Sequence, residues 1–115
     1  MVKHSQRELD ALFSALADPT RRDILVRLAE GDAPVTKLAE PLPISLPAVS
    51  RHLRVLEAAG LVARRRDGRV HRISLVAEPM VAGLEWMAVF GQFWEHQLGA
   101  LERFFAAQAE DREPQ

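Results

Sequence analysis

The sequence predicts a mainly α domain of about five helices that carries one small β-hairpin. Apolar residues recur at helical spacing from Leu9 to Leu56 and again beyond Met80. Between these stretches, residues 61–75 switch to strand chemistry around an Asp67-Gly68 pair, a strong short-range hairpin signal. Ser5, Asp18 and Ser45 each stand at the head of a periodic segment, where a short side-chain oxygen can accept from the first free backbone N–H groups of a helix.

In the first helix, Ser5 and Glu8 have capping-box spacing, and Leu9, Leu12, Phe13 and Leu16 follow at i, i+3, i+4 and i+7. Asp18 caps the second helix with Pro19 at its first position; Ile24, Leu25 and Leu28 form its apolar stripe, and Gly31 ends it. A third helix, about Val35 to Glu40, has Leu38 and Ala39 inward and stops before Pro41, because the residue preceding a proline is pushed out of helical geometry. Pro41, Leu42, Pro43 and Ile44 make a turn. Ser45 then caps a fourth helix whose inward face is Leu46, Val49, Leu53 and Leu56, ending at Gly60.

Strands at 61–66 and 69–75 complete a hairpin in which Arg66 faces Arg69 and Arg64 faces His71. Two helices joined by a tight turn and followed by a basic hairpin give the order of a winged helix-turn-helix. The last helix begins near Glu78 and Pro79. Unbroken to about Gln108 it is roughly 45 Å long. Gly83, Gly91 and Gly99 each weaken it by about 1 kcal/mol relative to alanine, so a close helix crossing or a bend near Gly91 is the other reading. Residues 5–108 read as a single domain without internal repeat or linker, and residues 109–115 as a disordered tail.

At 115 residues, 48% apolar and 27% charged, the chain has the profile of a globular domain with one core. It holds no cysteine, which excludes disulfides and thiolate metal sites. No apolar run approaches the roughly 20 residues that span a bilayer, and residues 1–6 lack a signal-peptide pattern, so a cytoplasmic protein with no membrane partner is expected.

Charge is unevenly placed. From 51 to 72, seven arginines (Arg51, Arg54, Arg64, Arg65, Arg66, Arg69 and Arg72) oppose only Glu57 and Asp67, a net +5, whereas the whole chain carries −1. From residue 73 onward two arginines stand against seven acids, a net −5. A near-neutral chain with a basic stripe can engage phosphates at one place only, which points to double-stranded DNA. With its apolar stripe inward, the fourth helix presents Ser45, Pro47, Ala48, Ser50, Arg51, His52 and Arg54. Small residues allow close approach to a major groove, Ser50 and Arg51 can reach base edges, and Arg54 is placed for a phosphate. The wing adds Arg64, Arg65, Arg66, Arg69 and Arg72, whose mutual repulsion an anionic partner relieves.

The last helix carries more apolar surface than its own core can cover. Met80, Leu84, Met87, Trp94, Leu98, Leu101 and Phe105 make one stripe, and Trp86, Phe90, Phe93 and Phe104 add a second. An uncovered aromatic face on a small domain marks an interface, so a homodimer is expected through Trp86, Phe90, Phe93, Trp94, Leu98, Leu101 and Phe105, with Leu9, Leu12 and Phe13 of the first helix. A pocket for an apolar ligand lined by the same aromatics is the alternative use of that surface.

Three ordered stretches resemble the ArsR-type winged-helix transcriptional regulators of bacteria. They are Ala15, Leu16, Ala17, Asp18, Pro19, Thr20, Arg21 and Arg22; the run from Ser45 to Leu61 with Pro47, Ser50, His52 and Leu53; and the hairpin through Gly68. The resemblance covers about Leu9 to Phe105. It implies a homodimer that binds an imperfect palindrome and represses transcription, with Ser45, Ser50, Arg51 and His52 on DNA-facing positions. Many members sense metals through cysteines or through His and acidic clusters; this chain departs from them. Its four histidines sit on separate elements, and only His96 with Glu95 or Glu85 could seed a site across a dimer, so no metal or cofactor is expected. The effector, if there is one, is not written in the sequence. Catalysis is not expected either, because Ser50 and His52 are two apart on a helix and no acid orients the histidine. The competing function is a protein-interaction module whose basic hairpin meets an acidic partner.

Overall fold

The computed structural model describes residues 5–112. Residues 1–4 and 113–115, which hold part of the segment read for a leader and the end of the expected tail, lie outside the described residues. The element order is α1 (Gln6–Leu16), α2 (Pro19–Leu28), β1 (Ala33–Pro34), α3 (Val35–Ala39), α4 (Leu46–Ala58), β2 (Val62–Asp67), β3 (Val70–Leu75), α5 (Glu78–Ala88) and α6 (Gly91–Arg112). Two compact units are divided after Leu84, inside α5.

The first unit is built on the caps that the sequence announces. Ser5 Oγ accepts from the Glu8 N–H at 3.1 Å, Asp18 Oδ1 from Thr20 at 2.8 Å and Arg21 at 3.1 Å, and Ser45 Oγ from Ala48 at 3.3 Å. The end of α4 is closed by a Schellman motif. Gly60, at φ +75°, donates to Glu57 O at 2.9 Å, and Leu61 donates to Leu56 O at 2.9 Å. That left-handed turn lets the chain reverse directly from α4 into β2, so helix and wing share one core.

Leu12, Ala15, Ile24, Leu25, Leu28, Leu38, Val49, Leu53, Leu56, Leu61, Val62 and Ile73 form that core. Leu12 is 2% exposed and packs there, so it is not open to a second chain as the sequence reading had it. The close packing of α1 on α5 depends on Gly83, where an added Cβ would meet Leu12 Cδ2 at 2.7 Å.

The sheet differs from the expected two-stranded wing. It has three strands in the order β1-β3-β2, with Ala33 opposite Ile73 and Pro34 opposite Arg72. A two-residue strand carries no alternating pattern to be read, and its proline stands at the sheet edge, where a missing N–H is tolerated. The hairpin register also differs. Arg64 pairs with Ile73, Arg65 with Arg72, Arg66 with His71 and Asp67 with Val70, so the turn is Gly68-Arg69 and not Asp67-Gly68. Gly68 has φ +66° and Arg69 has no positive φ, the pattern of a type II′ turn, which wants glycine at its first central position. The one-residue shift of the turn exchanges the facing pairs, and the like-charge pair is Arg65 with Arg72.

The second unit holds the end of α5 and all of α6. An unbroken 45 Å helix is not formed. Val89 donates to Trp86 O and Phe90 to Met87 O, three-residue bonds that tighten and end α5, and α6 begins at Gly91. Six helices lie among the described residues, and α6 continues through residues 109–112, which were expected in the tail; glutamate and arginine favour helix there. Trp86 and Phe90, Phe93 and Trp94, and Phe104 and Phe105 make edge-on ring pairs with centroids 5.2, 5.6 and 5.8 Å apart. No helix among the described residues is long and apolar enough to cross a membrane.

The Asp18 cap sets a pH dependence. The Arg21 N–H holds its carboxyl below the usual carboxylate range, the Thr20 N–H and the charge of Arg21 act in the same direction, and partial desolvation opposes them. A depressed folded-state value gives stability that is present above the unfolded value of about 3.9 and is lost as pH falls through the folded one. Asp18→Ala is expected to cost about 0.5–2 kcal/mol in urea unfolding at pH 7. The gap from the parent protein should narrow at pH values below about 4; a gap of constant size would show that the ionised cap is not the stabilising group.

Candidate nucleic-acid interface

The orientation of α4 follows from its buried stripe. Val49, Leu53 and Leu56 are each 0% exposed, which turns the remaining faces of the helix outward. Ser45, Pro47, Arg51 and Arg54 are exposed, and Ala48, Ser50 and His52 are half-buried. Leu46, expected inward, is 52% exposed. It occupies the first helical position, beyond the edge of the core, where no packed element lies over it.

His52 is held from behind. Arg21 Nη1 approaches His52 Nδ1 at 3.2 Å, while its Nε donates to Ala15 O at 2.8 Å and its Nη2 to Ser14 O at 3.1 Å. A guanidinium has only donors, so the contact uses a lone pair on Nδ1 and leaves the proton on Nε2. One side chain thereby ties the last carbonyls of α1 to the middle of α4. Sequence reasoning missed this role for Arg21 because the two residues stand 31 apart and nothing local links them.

The wing arginines divide by what holds them. Arg64 donates to Glu57 Oε1 through Nη2 at 2.7 Å and through Nε at 3.2 Å, and its Nη1 lies 3.4 Å from His71 Nδ1. It therefore fastens the wing to the end of α4 and is partly neutralised there. Arg66 folds back, its Nε donating to Gly68 O at 3.2 Å. Arg51, Arg54, Arg65, Arg69 and Arg72 make no ion pair with any described residue, and all but the half-buried Arg72 are exposed. Guanidiniums without an ion pair to any described residue, from α4, β2, the hairpin tip and β3, thus belong to the one compact unit.

Between the start of α4 and the wing lies a cleft of about 380 Å³ whose walls include Thr36, Leu46, Ser50, Arg69, Val70 and His71, with no carboxylate among its lining residues. Such a surface can accept a polyanion. Of the residues expected at a subunit contact, Leu9 is half-buried, Phe13 is 39% exposed, and Trp86, Phe90, Phe93, Trp94, Leu98, Leu101 and Phe105 are exposed to between 44% and 60%. Among the described residues, no group of three His, Asp or Glu side chains could hold a metal ion.

Residues 16–65, from the end of α1 into the wing, match a family model described as a helix-turn-helix domain. The chain is 38% identical over 105 residues to the HTH-type transcriptional regulator Rv2034 of Mycobacterium tuberculosis, covering 91% of this chain and 95% of that one. It is 35% identical over 82 residues to the transcriptional repressor SdpR of Bacillus subtilis, covering 71% and 91%. Among solved structures, an ArsR family transcriptional regulator superposes with a TM-score of 0.75 at 37% identity, covering 82% of this chain and 97% of that one. An ArsR-like transcriptional regulator from Rhodococcus sp. RHA1 gives 0.66 at 33%, covering 85% and 92%. These relatives are named as transcriptional regulators, and each is covered over more than nine-tenths of its length. The chain belongs to the ArsR family of winged helix-turn-helix, DNA-binding transcriptional regulators.

Proposed function

We propose that the chain is a dimeric repressor that acts in the cytoplasm on a palindromic operator, with α4 of each copy in a major groove and the wing on the adjoining backbone. The observation that carries this reading is the joint placement on one core of a small, polar α4 face and five arginines without an ion-pair partner. Ser50 and Arg51 face base edges, whereas Arg54, Arg65, Arg69 and Arg72 meet phosphates and fix register. Arg64, engaged by Glu57, sets the angle of the wing and adds less to phosphate binding than its neighbours.

Dimerisation supplies the second half-site. Trp94, Leu98, Leu101 and Phe105 recur along α6 at helical spacing, and a second copy of the same helix is the partner whose apolar face matches. Two α4 helices then sit about one duplex turn, roughly 34 Å, apart. Repression follows from occupancy of a promoter, in keeping with the repressor from Bacillus subtilis that the chain resembles.

Arg51→Ala is expected to reduce the ratio of operator to random-duplex affinity by about tenfold. Arg65→Ala should weaken both duplexes alike and lower the slope of log affinity against log salt by about one. Equal losses with unchanged slopes, in titrations at several salt concentrations, would reverse these roles. For assembly, Trp94→Glu combined with Leu98→Glu should sediment as a monomer with its helical circular dichroism retained; a dimer that survives places the subunit contact elsewhere.

A further inference from the structure

We propose that Leu46 is a specificity residue that reads the 5-methyl group of a thymine in the major groove, from the mouth of the cleft between α4 and the wing. The proposal rests on the reading that α4 enters that groove. Its own observation is the position of Leu46. This large apolar side chain is 52% exposed at the first residue of α4, more than any other large apolar residue of that helix. The N-terminal residues of a docked recognition helix are those that reach base edges.

Leu46 lies one turn before Ser50, on the same helical face, and both line the cleft. Across that cleft stand Arg69, His71 and the 46% exposed Val70 of the hairpin, and its lining holds no acid. The charge of the cleft suits a polyanion, which on the reading of α4 given above is DNA. Of the groups that base pairs present in the major groove, the thymine methyl is the one alkyl group. Leu46 offers no donor, acceptor or charge, so that methyl is the feature it can recognise. Ser50, one turn on, then meets a polar edge of a neighbouring base. Leu46 adds nothing to phosphate binding, so its removal leaves the salt dependence untouched.

The test starts from duplexes selected out of a random-sequence pool by the full chain. Each thymine of the selected site is replaced in turn by deoxyuridine, which removes the methyl and nothing else. The wild-type chain should lose about fourfold in affinity at one thymine of each half-site, the equivalent of ~0.8 kcal/mol for one buried carbon group. Leu46→Ala, with unchanged thermal unfolding and salt slope, should bind the two duplexes equally. Leu46→Gln, selected afresh, should replace that thymine by adenine, whose N6 and N7 suit an amide.

Wild-type indifference to every methyl overturns the proposal, as does an equal loss in Leu46→Ala, or a change of oligomeric state as the only effect of Leu46→Ala. Arg51→Ala on the same duplexes separates the two levels. If it loses discrimination while methyl removal has no effect, the reading of α4 stands and the role of Leu46 falls. If it selects the same site as wild type, α4 is not the reader, and the inference about Leu46 falls with it.

Discussion

The burial of one side of α4 governs the rest of the molecule. Val49, Leu53 and Leu56 meet Leu61 and Ile73 with no exposed surface left on any of the five. Full burial of each such side chain is worth about 1.5–3 kcal/mol, far more than any exposed charge pair on the wing, for which the usual figure is about 0–1 kcal/mol. Hydrophobic packing therefore fixes the direction of the outward face of α4, the face proposed to read DNA, and electrostatics only decorates it. Gly60 makes the arrangement one piece, because its left-handed turn brings Leu61 back under Leu56 and starts β2 without an intervening loop.

Charge is organised by subtraction. The stretch from 51 to 72 looks like a uniform block of arginines, yet the structure withdraws two of them. Arg64 is bound by Glu57, and Arg66 leans on its own turn through Gly68 O. Those left unpaired include Arg65 and Arg72, which face one another across the hairpin and repel. The repulsion is tolerated in water, where guanidiniums are screened over about 8–10 Å, and under the proposed function a DNA phosphate is what relieves it. The hairpin is thus held by the Arg64–Glu57 pair and carries one like-charge pair, Arg65 with Arg72, beside it.

Much of this was legible from residues alone, and the exceptions share a cause. Ser5, Asp18 and Ser45 act as caps because capping is a local event, decided within three or four residues. The stripes Ile24, Leu25, Leu28 and Val49, Leu53, Leu56 are buried as their period implies. Period fails at element ends: Leu46 fits the inward pattern of α4 and is nevertheless exposed, since the core stops short of it. Register was misread because Asp-Gly is the commoner turn pair and the Gly-Arg alternative differs by one residue. Non-local pairings were out of reach altogether. Nothing near Arg21 announces His52, nothing near Ala33 announces Ile73, and Leu12, apolar and on a periodic stripe, gave no sign that the core and not a second chain would claim it.

The central physical claim is that α4 and the wing, carried on one core, form the surface that meets DNA. Its most direct test is a titration of isotope-labelled protein with a selected duplex, followed by amide NMR. The expected result is that the signals of residues 45–54 and 63–72 move first and furthest, while those of α6 stay in place. Movement concentrated in α6, with the α4 and wing signals unchanged at saturation, would contradict it.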